Sequence, residues 1–205
     1  MSIPHLLTLS RILIAPIFVL FYLYSNPLEI SFLELPYILF ALLVIGELTD
    51  LLDGYFARKF NQVSDLGKIF DPMADSIFHI SIFFSFTQGV VDLPLLLVFV
   101  FLYRDSVIAT LRTVCALKGY ALAARPSGKV KAVFQALVAF TIVALMIPLS
   151  HGHFSLQTFQ TIALWLVAGA ALYTAASGFE YLWANRSTIG KLLTTGKKRR
   201  EGKSS

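Results

Sequence analysis

The chain contains a single cysteine, Cys115. An internal disulfide is excluded, and nothing in the composition asks for an oxidising compartment. Charge is also scarce. Only 14% of the 205 residues are Asp, Glu, Lys or Arg, against 57% hydrophobic residues and a mean hydropathy of +0.73. A water-soluble domain of this length cannot cover so much apolar surface, so lipid is the natural solvent. No Cys/His cluster is present, and the "HGH" at His151–His153 offers two histidines without further ligands, which excludes the usual zinc sites. No polar linker and no internal repeat divides the chain. This predicts one helical domain over residues 1–190 and a basic tail over 191–205. The tail, "GKKRREGKSS", has no aromatic residues among its charges, so it reads as a strip drawn to anionic lipid rather than a nucleic-acid partner. The first apolar run lacks a small-residue cleavage site, which predicts a retained span.

What the chain does have is long apolar runs. About 20 residues cross the hydrocarbon core, and six segments qualify, near 8–25, 33–58, 68–90, 93–118, 128–149 and 157–184. The expected fold class is therefore all-α integral membrane, with six transmembrane helices. Turn chemistry separates them: "SNPLE", "FNQVSD", "QGVVDLP", "KGYALAARPSG" and "PLSHGHF". The first, third and fifth connections, near 26–32, 91–92 and 150–156, contain no Lys or Arg. Arg11, Arg58, Lys59 and Lys68 gather at the other ends of the segments, as do Arg112, Lys118, Arg125, Lys129 and Lys131. The alternation predicts a multi-pass protein of the cell (inner) membrane with both termini in the cytoplasm.

Four aspartates fall on that cytoplasmic half. Asp50 and Asp53 are three residues apart and share a helix face; Asp71 and Asp75 are four apart and share a face of the next helix. A short connection makes the two helices antiparallel neighbours, so both pairs can point into one gap. Four unpartnered carboxylates would repel strongly there. Two arrangements relieve this. Cations of the protein, with Arg58 and Lys68 nearest in sequence, would form an ion-pair network. Alternatively, the hard oxygen ligands would hold Mg²⁺, Mn²⁺ or Ca²⁺, and four carboxylates suffice to bridge a two-metal centre of the kind used in phosphoryl chemistry. Gly54 and Ala57 lie one turn after Asp50 and Asp53, and Gly67 one turn before Asp71. They leave a strip free of side chains beside the acids, suited to a phosphorylated ligand or to close helix packing.

Taken together, Asp50-x2-Asp53-Gly54-x2-Ala57-Arg58-x8-Gly67-x3-Asp71-x3-Asp75 resembles the signature of the CDP-alcohol phosphotransferase family at all eight fixed positions. The resemblance covers most of the chain. It implies that a CDP-linked lipid, usually CDP-diacylglycerol, gives its phosphatidyl group to a small alcohol, and that CMP leaves. It also implies two divalent ions, Mg²⁺ or Mn²⁺, held by Asp50, Asp53, Asp71 and Asp75, with Asp75 as catalytic base. Asp50, Gly54, Ala57, Arg58 and Gly67 resemble the nucleotide-binding positions. A homodimer among membrane lipids is implied by the same resemblance.

Within the family, "IPHLLTLSRILIAPIFVLFY", "YRDSVIATLR" and "SGKVKA" resemble segments of phosphatidylglycerolphosphate synthases, which take glycerol 3-phosphate. An anionic acceptor asks for cations, and Arg104, Arg112, Lys129 and Lys131 are the candidates. Arg104 lies inside an apolar segment, where a cation is expensive; the competing reading pairs it with Asp105 or with another helix's acid. Lys129 and Lys131 also suit snorkelling to headgroups. The chain departs from that subgroup at His5, Ser76 and Asp105, where Asn, Lys and Glu are usual. The Ser76 change lies beside the base, so inositol phosphate, serine, choline or ethanolamine stay open as acceptors. A cation-coupled transporter is the rival class, and it would place its acids deeper and show repeat symmetry. His79, one turn after Asp75, reads as a satisfied intramembrane histidine.

Overall fold

The structure is a computed structural model that describes residues 3–59, 65–119, 122 and 125–190; the side chains of 3–7, 53–58 and 65–71 are outside that description. The described residues form six helices: α1 (Ile3–Leu23), α2 (Leu35–Lys59), α3 (Asp65–Ser85), α4 (Leu95–Leu117), α5 (Pro126–Ser150) and α6 (Leu156–Ala184). Among the described residues, three stretches are long and apolar enough to cross a membrane: Leu35–Leu52, Pro126–Ser150 and Leu156–Ala184. A shorter apolar stretch, Thr8–Leu23, belongs to α1. In α4 the apolar run is broken by Arg104, Asp105 and Arg112.

Local chemistry sets the helix ends. Ahead of α2, the Ser31 hydroxyl accepts from the Glu34 amide and the Glu34 carboxylate accepts from the Ser31 amide, a reciprocal capping box. The Ser31 hydroxyl also donates to the Glu34 carboxylate at 2.8 Å, and this bond, with the one from the Ser31 amide, holds the Glu34 carboxyl below its ordinary range. α5 starts at Pro126, whose missing N–H costs nothing in a first turn. It ends on Gly152, at φ +75°, with the Gly152 amide donating to Leu149 and the His153 amide to Pro148. That left-handed position is one glycine adopts freely. Ser155 then caps α6 by accepting from the Thr158 amide.

The third segment was expected to run to residue 90, but α3 stops at Ser85. The reason is a side chain from α1. Tyr22 Oη donates to the Gln88 carbonyl at 2.9 Å and accepts from the Val91 amide at 3.1 Å. Gln160 Nε2 of α6 donates to the Val90 carbonyl. The backbone of this connection thus finds its partners outside a helix, which buried polar groups require.

α1 packs on α2 and α3, and α6 packs on α4 and α5; contacts of α2 with α5 and of α3 with α4 and α5 join the two triplets. The shared core holds Phe18, Tyr22, Phe83, Phe86 and Phe101, with ring centroids between neighbours 4.8–6.5 Å apart. α2 and α3 approach at Gly46, where an added Cβ would strike the Phe78 ring. Small residues permit such approaches between membrane helices, where packing rather than water exclusion drives association. Large apolar side chains such as Leu96, Trp165 and Leu172 face outward, as lipid contact allows.

Candidate functional site

Charged side chains of α1 to α5 pair with one another in neighbouring clusters, and α6 adds Tyr181. Arg11 of α1 is buried, at 1% exposure, and forms an ion pair with Asp50 of α2, whose side chain is 43% exposed. One turn back, Glu47 Oε1 lies 2.9 Å from His79 Nε2 on α3. The other ring nitrogen of His79, Nδ1, is 3.2 Å from Asp75 Oδ1. Asp50 and Asp75 lie within Coulombic reach of each other, and Asp75 is also within reach of Arg11 and Lys131. Two of the four aspartates singled out from the sequence are thereby brought together across the α2–α3 interface. Asp53 and Asp71 lie on the same two helices, with side chains outside the described residues, as do Gly54, Ala57, Arg58 and Gly67.

A second cluster adjoins the first. Ser76, next to Asp75, donates to Asp105 Oδ2 of α4 at 3.4 Å. Lys131 Nζ of α5 donates to the same oxygen at 2.7 Å, and Arg104 Nη1 to Asp105 Oδ1 at 3.0 Å. Asp105 therefore takes two of the four candidate acceptor cations, as the competing reading of Arg104 had it for that residue. Lys131 and Asp105 are buried, so this pair is stable only as a pair. Arg104 also lies along α6, where a Cβ at Gly178 would come within 2.9 Å of its Cγ. Its Nε has no hydrogen-bond partner among the described residues, and neither do the buried hydroxyls of Ser127 and Thr174. Arg112 extends the line of cations. Its Nε donates to Tyr181 Oη at 3.2 Å, and its guanidinium carbon stands 5.2 Å from the centre of that ring. Lys129 sits in the first turn of α5 and is exposed; no contact of its side chain joins it to the cluster among the described residues.

Several participants were not singled out as site residues from the sequence: Arg11, Glu47, Asp105 and Tyr181. Arg11 and Asp105 carried a signal, since each is a charge within an apolar run. Glu47 carried one as well, three residues before Asp50 on the same face. Tyr181 carried none; only the packing of α6 on α4 reveals it. The ion-pair arrangement is realised at Asp50 and Asp75, through Arg11 and His79. Arg58 and Lys68, the cations expected nearby, have side chains outside the described residues.

Among the described residues no three His, Cys, Asp or Glu side chains are grouped to hold a metal ion. The donor chemistry nonetheless fits a hard divalent cation. Asp50 and Asp75 are carboxylates, partly exposed, on facing helices, and no sulfur competes with them.

Known proteins resemble this chain over most of its length. Residues 1–176 match the family model described as CDP-alcohol phosphatidyltransferase. A relative from Bacillus subtilis (strain 168) is 32% identical over 191 residues, covering 90% of this chain and 95% of its own length. One from Rickettsia typhi is 32% identical over 185 residues, covering 89% and 96%. One from Pseudomonas fluorescens is 30% identical over 203 residues, covering 97% and 95%. All three are named CDP-diacylglycerol–glycerol-3-phosphate 3-phosphatidyltransferase. With the acids on neighbouring helices, the cations beside them and the match spanning most of its length, the chain belongs to the CDP-alcohol phosphatidyltransferase family of integral membrane enzymes.

Proposed function

We propose that this enzyme transfers the phosphatidyl group of CDP-diacylglycerol to glycerol 3-phosphate and releases CMP. The relatives' names support the pair of substrates. The observation that carries the reading onto this chain's own residues is the position of Asp75, between the acids of α2 and the Asp105–Lys131 cluster. A base there is adjacent both to where a pyrophosphate would be gripped and to where a phosphorylated alcohol would be held.

In this mechanism the acceptor hydroxyl attacks the phosphorus that carries diacylglycerol, and the bond from that phosphorus to the CMP oxygen breaks. Asp75 takes the hydroxyl proton. Such positioned proton transfer is typically worth 10²–10⁴-fold, roughly, in rate. Asp50, Asp53, Asp71 and Asp75 would hold Mg²⁺ or Mn²⁺, which when bound neutralises charge on the pyrophosphate. Arg58 pairs with the nucleotide's phosphate through its planar fork, and Gly54, Ala57 and Gly67 let the ligand approach the backbone. Arg112, braced by Tyr181, and Arg104, shared with Asp105, attract the acceptor's phosphate; Lys131 sets Asp105, and Lys129 guides the acceptor from the surface.

The same reading places six crossings in the cell membrane, both termini and the site on the cytoplasmic side, a basic tail over 191–205 on anionic lipid, and a homodimer. The distribution of Lys and Arg supports the orientation. The test is CMP release by the purified protein from CDP-diacylglycerol with Mg²⁺ or Mn²⁺, screened against glycerol 3-phosphate, inositol phosphate, serine and choline. Turnover with glycerol 3-phosphate that is abolished in Asp71→Asn is the expected result. Turnover with another acceptor alone would displace the substrate, and equal turnover in Asp71→Asn would sink the mechanism.

A further inference from the structure

The transfer mechanism does not use His79, yet its ring is one of the most enclosed polar groups at the site, at 3% exposure. Each ring nitrogen lies beside a carboxylate: Nε2 is 2.9 Å from Glu47 Oε1, a charge contact without the alignment of a hydrogen bond, and Nδ1 is 3.2 Å from Asp75 Oδ1. Nδ1 is also 3.1 Å from the backbone carbonyl of Asp75, one turn earlier. Phe78 stands edge-on to the imidazole, with centroids 5.6 Å apart, and fills the space that Gly46 leaves open on α2. The ring is therefore fixed from both helices.

This matters for Asp75. A free aspartate on a helix samples several rotamers, and its two carboxylate oxygens exchange places. With Oδ1 beside a ring that is itself ion-paired to α2, one orientation of the carboxylate is favoured. Oδ2 is then the oxygen presented to a substrate. We propose that His79 is a positioning residue: Glu47 fixes the imidazole, the imidazole holds Oδ1 of Asp75, and Oδ2 is left as the atom that accepts the acceptor's proton. The inference rests on the phosphatidyl-transfer reading above and adds to it a three-residue support that spans α2 and α3.

The test uses the full-length protein in detergent micelles, with CDP-diacylglycerol, glycerol 3-phosphate and Mg²⁺, and measures kcat and KM separately. In His79→Ala, kcat falls by about 10–100-fold, the scale of a misplaced catalytic group, while KM for both substrates changes less than about twofold. His79→Asn recovers most of the loss, because its amide nitrogen can take the place of Nδ1. Glu47→Gln lowers kcat to a smaller degree, and adds nothing in the His79→Ala background, since it acts through the ring. If His79→Ala does not fold, Glu47→Gln alone and in the His79→Asn background carries the test: an effect on kcat in the first and none in the second supports the relay. Unchanged kcat in both His79→Ala and Glu47→Gln, or a rise in KM with kcat intact, overturns it. A wild-type protein that releases no CMP with any acceptor overturns the functional reading and the positioning role together, whereas active wild type with active His79→Ala overturns only the latter.

Discussion

The two ends of the bundle satisfy their polar groups by different means. At the site end, side chains pair with side chains across helices: Arg11 with Asp50, His79 with Glu47 and Asp75, Lys131 and Arg104 with Asp105. At the opposite end, side chains serve the backbone. Tyr22 and Gln160 complete the hydrogen bonds of the connection after α3, and Ser31 and Ser155 complete those of the turns before α2 and α6. Charge pairs buried in lipid are costly to assemble and are retained where chemistry uses them. Backbone satisfaction is required of any chain in lipid. The contrast separates the part of the molecule that works from the part that holds it closed, and substitutions at each end should divide accordingly.

The largest expected effect is at the site end. Asp75→Asn removes the proposed base while keeping the shape, so turnover should fall by about 10²–10⁴-fold with nucleotide still bound, as read by CMP release and by CDP binding to the same preparation. Near-normal turnover would remove Asp75 from its role. Next is Arg112→Ala, which loses both the hydrogen bond to Tyr181 and the stacked ring. KM for glycerol 3-phosphate should rise by about tenfold, the equivalent of one charge-assisted contact, and KM for CDP-diacylglycerol should change much less. An equal rise for both would dissolve the acceptor pocket.

At the opposite end the pattern should invert. Tyr22→Phe leaves the Gln88 carbonyl and the Val91 amide without their partner. Unfolding in detergent should show a loss of about 1–3 kcal/mol, with kcat per folded molecule unchanged. A selective loss of turnover would mean that the two ends are not separable. The smallest effect belongs to Ser31→Ala. The Glu34 carboxyl titrates below its ordinary range because of Ser31, so its contribution is present above the unfolded pKa and disappears as pH falls through the lower, folded one. In Ser31→Ala the Glu34 resonance should titrate closer to the ordinary value by NMR, and stability should depend less on acidification.

Much of this was legible in the sequence because hydropathy and spacing are local. The six apolar segments became six helices, with shifts at their ends: α1 begins at Ile3 rather than 8, and α3 yields to the turn that Tyr22 stabilises. The acids were legible because a spacing of three or four residues places groups on one face whatever surrounds the helix. Partners were not. Arg11 and Asp50, or Lys131 and Asp105, come from different helices, and which faces meet is decided by packing. In a soluble helix an apolar stripe would reveal the buried face. In lipid the outward face is as apolar as the inward one, so periodicity is silent on orientation. The tie of Asp105 to Lys131 lay beyond sequence reasoning for that reason, whereas its tie to Arg104, the adjacent residue, was one of the two readings left open for that arginine.

Arg104, which pairs with Asp105, lies against Gly178, and Arg112 donates to Tyr181; both of these partners belong to α6. A nascent chain halted after α5 would already carry every acid of the motif and the ion pairs that α1–α5 make among themselves, but Arg104 and Arg112 would lack their neighbours on α6. Completion of α6 is thus the step that sets both arginines in place, and a copy left in the bilayer without it would keep the paired acids while its two arginines stood unsupported.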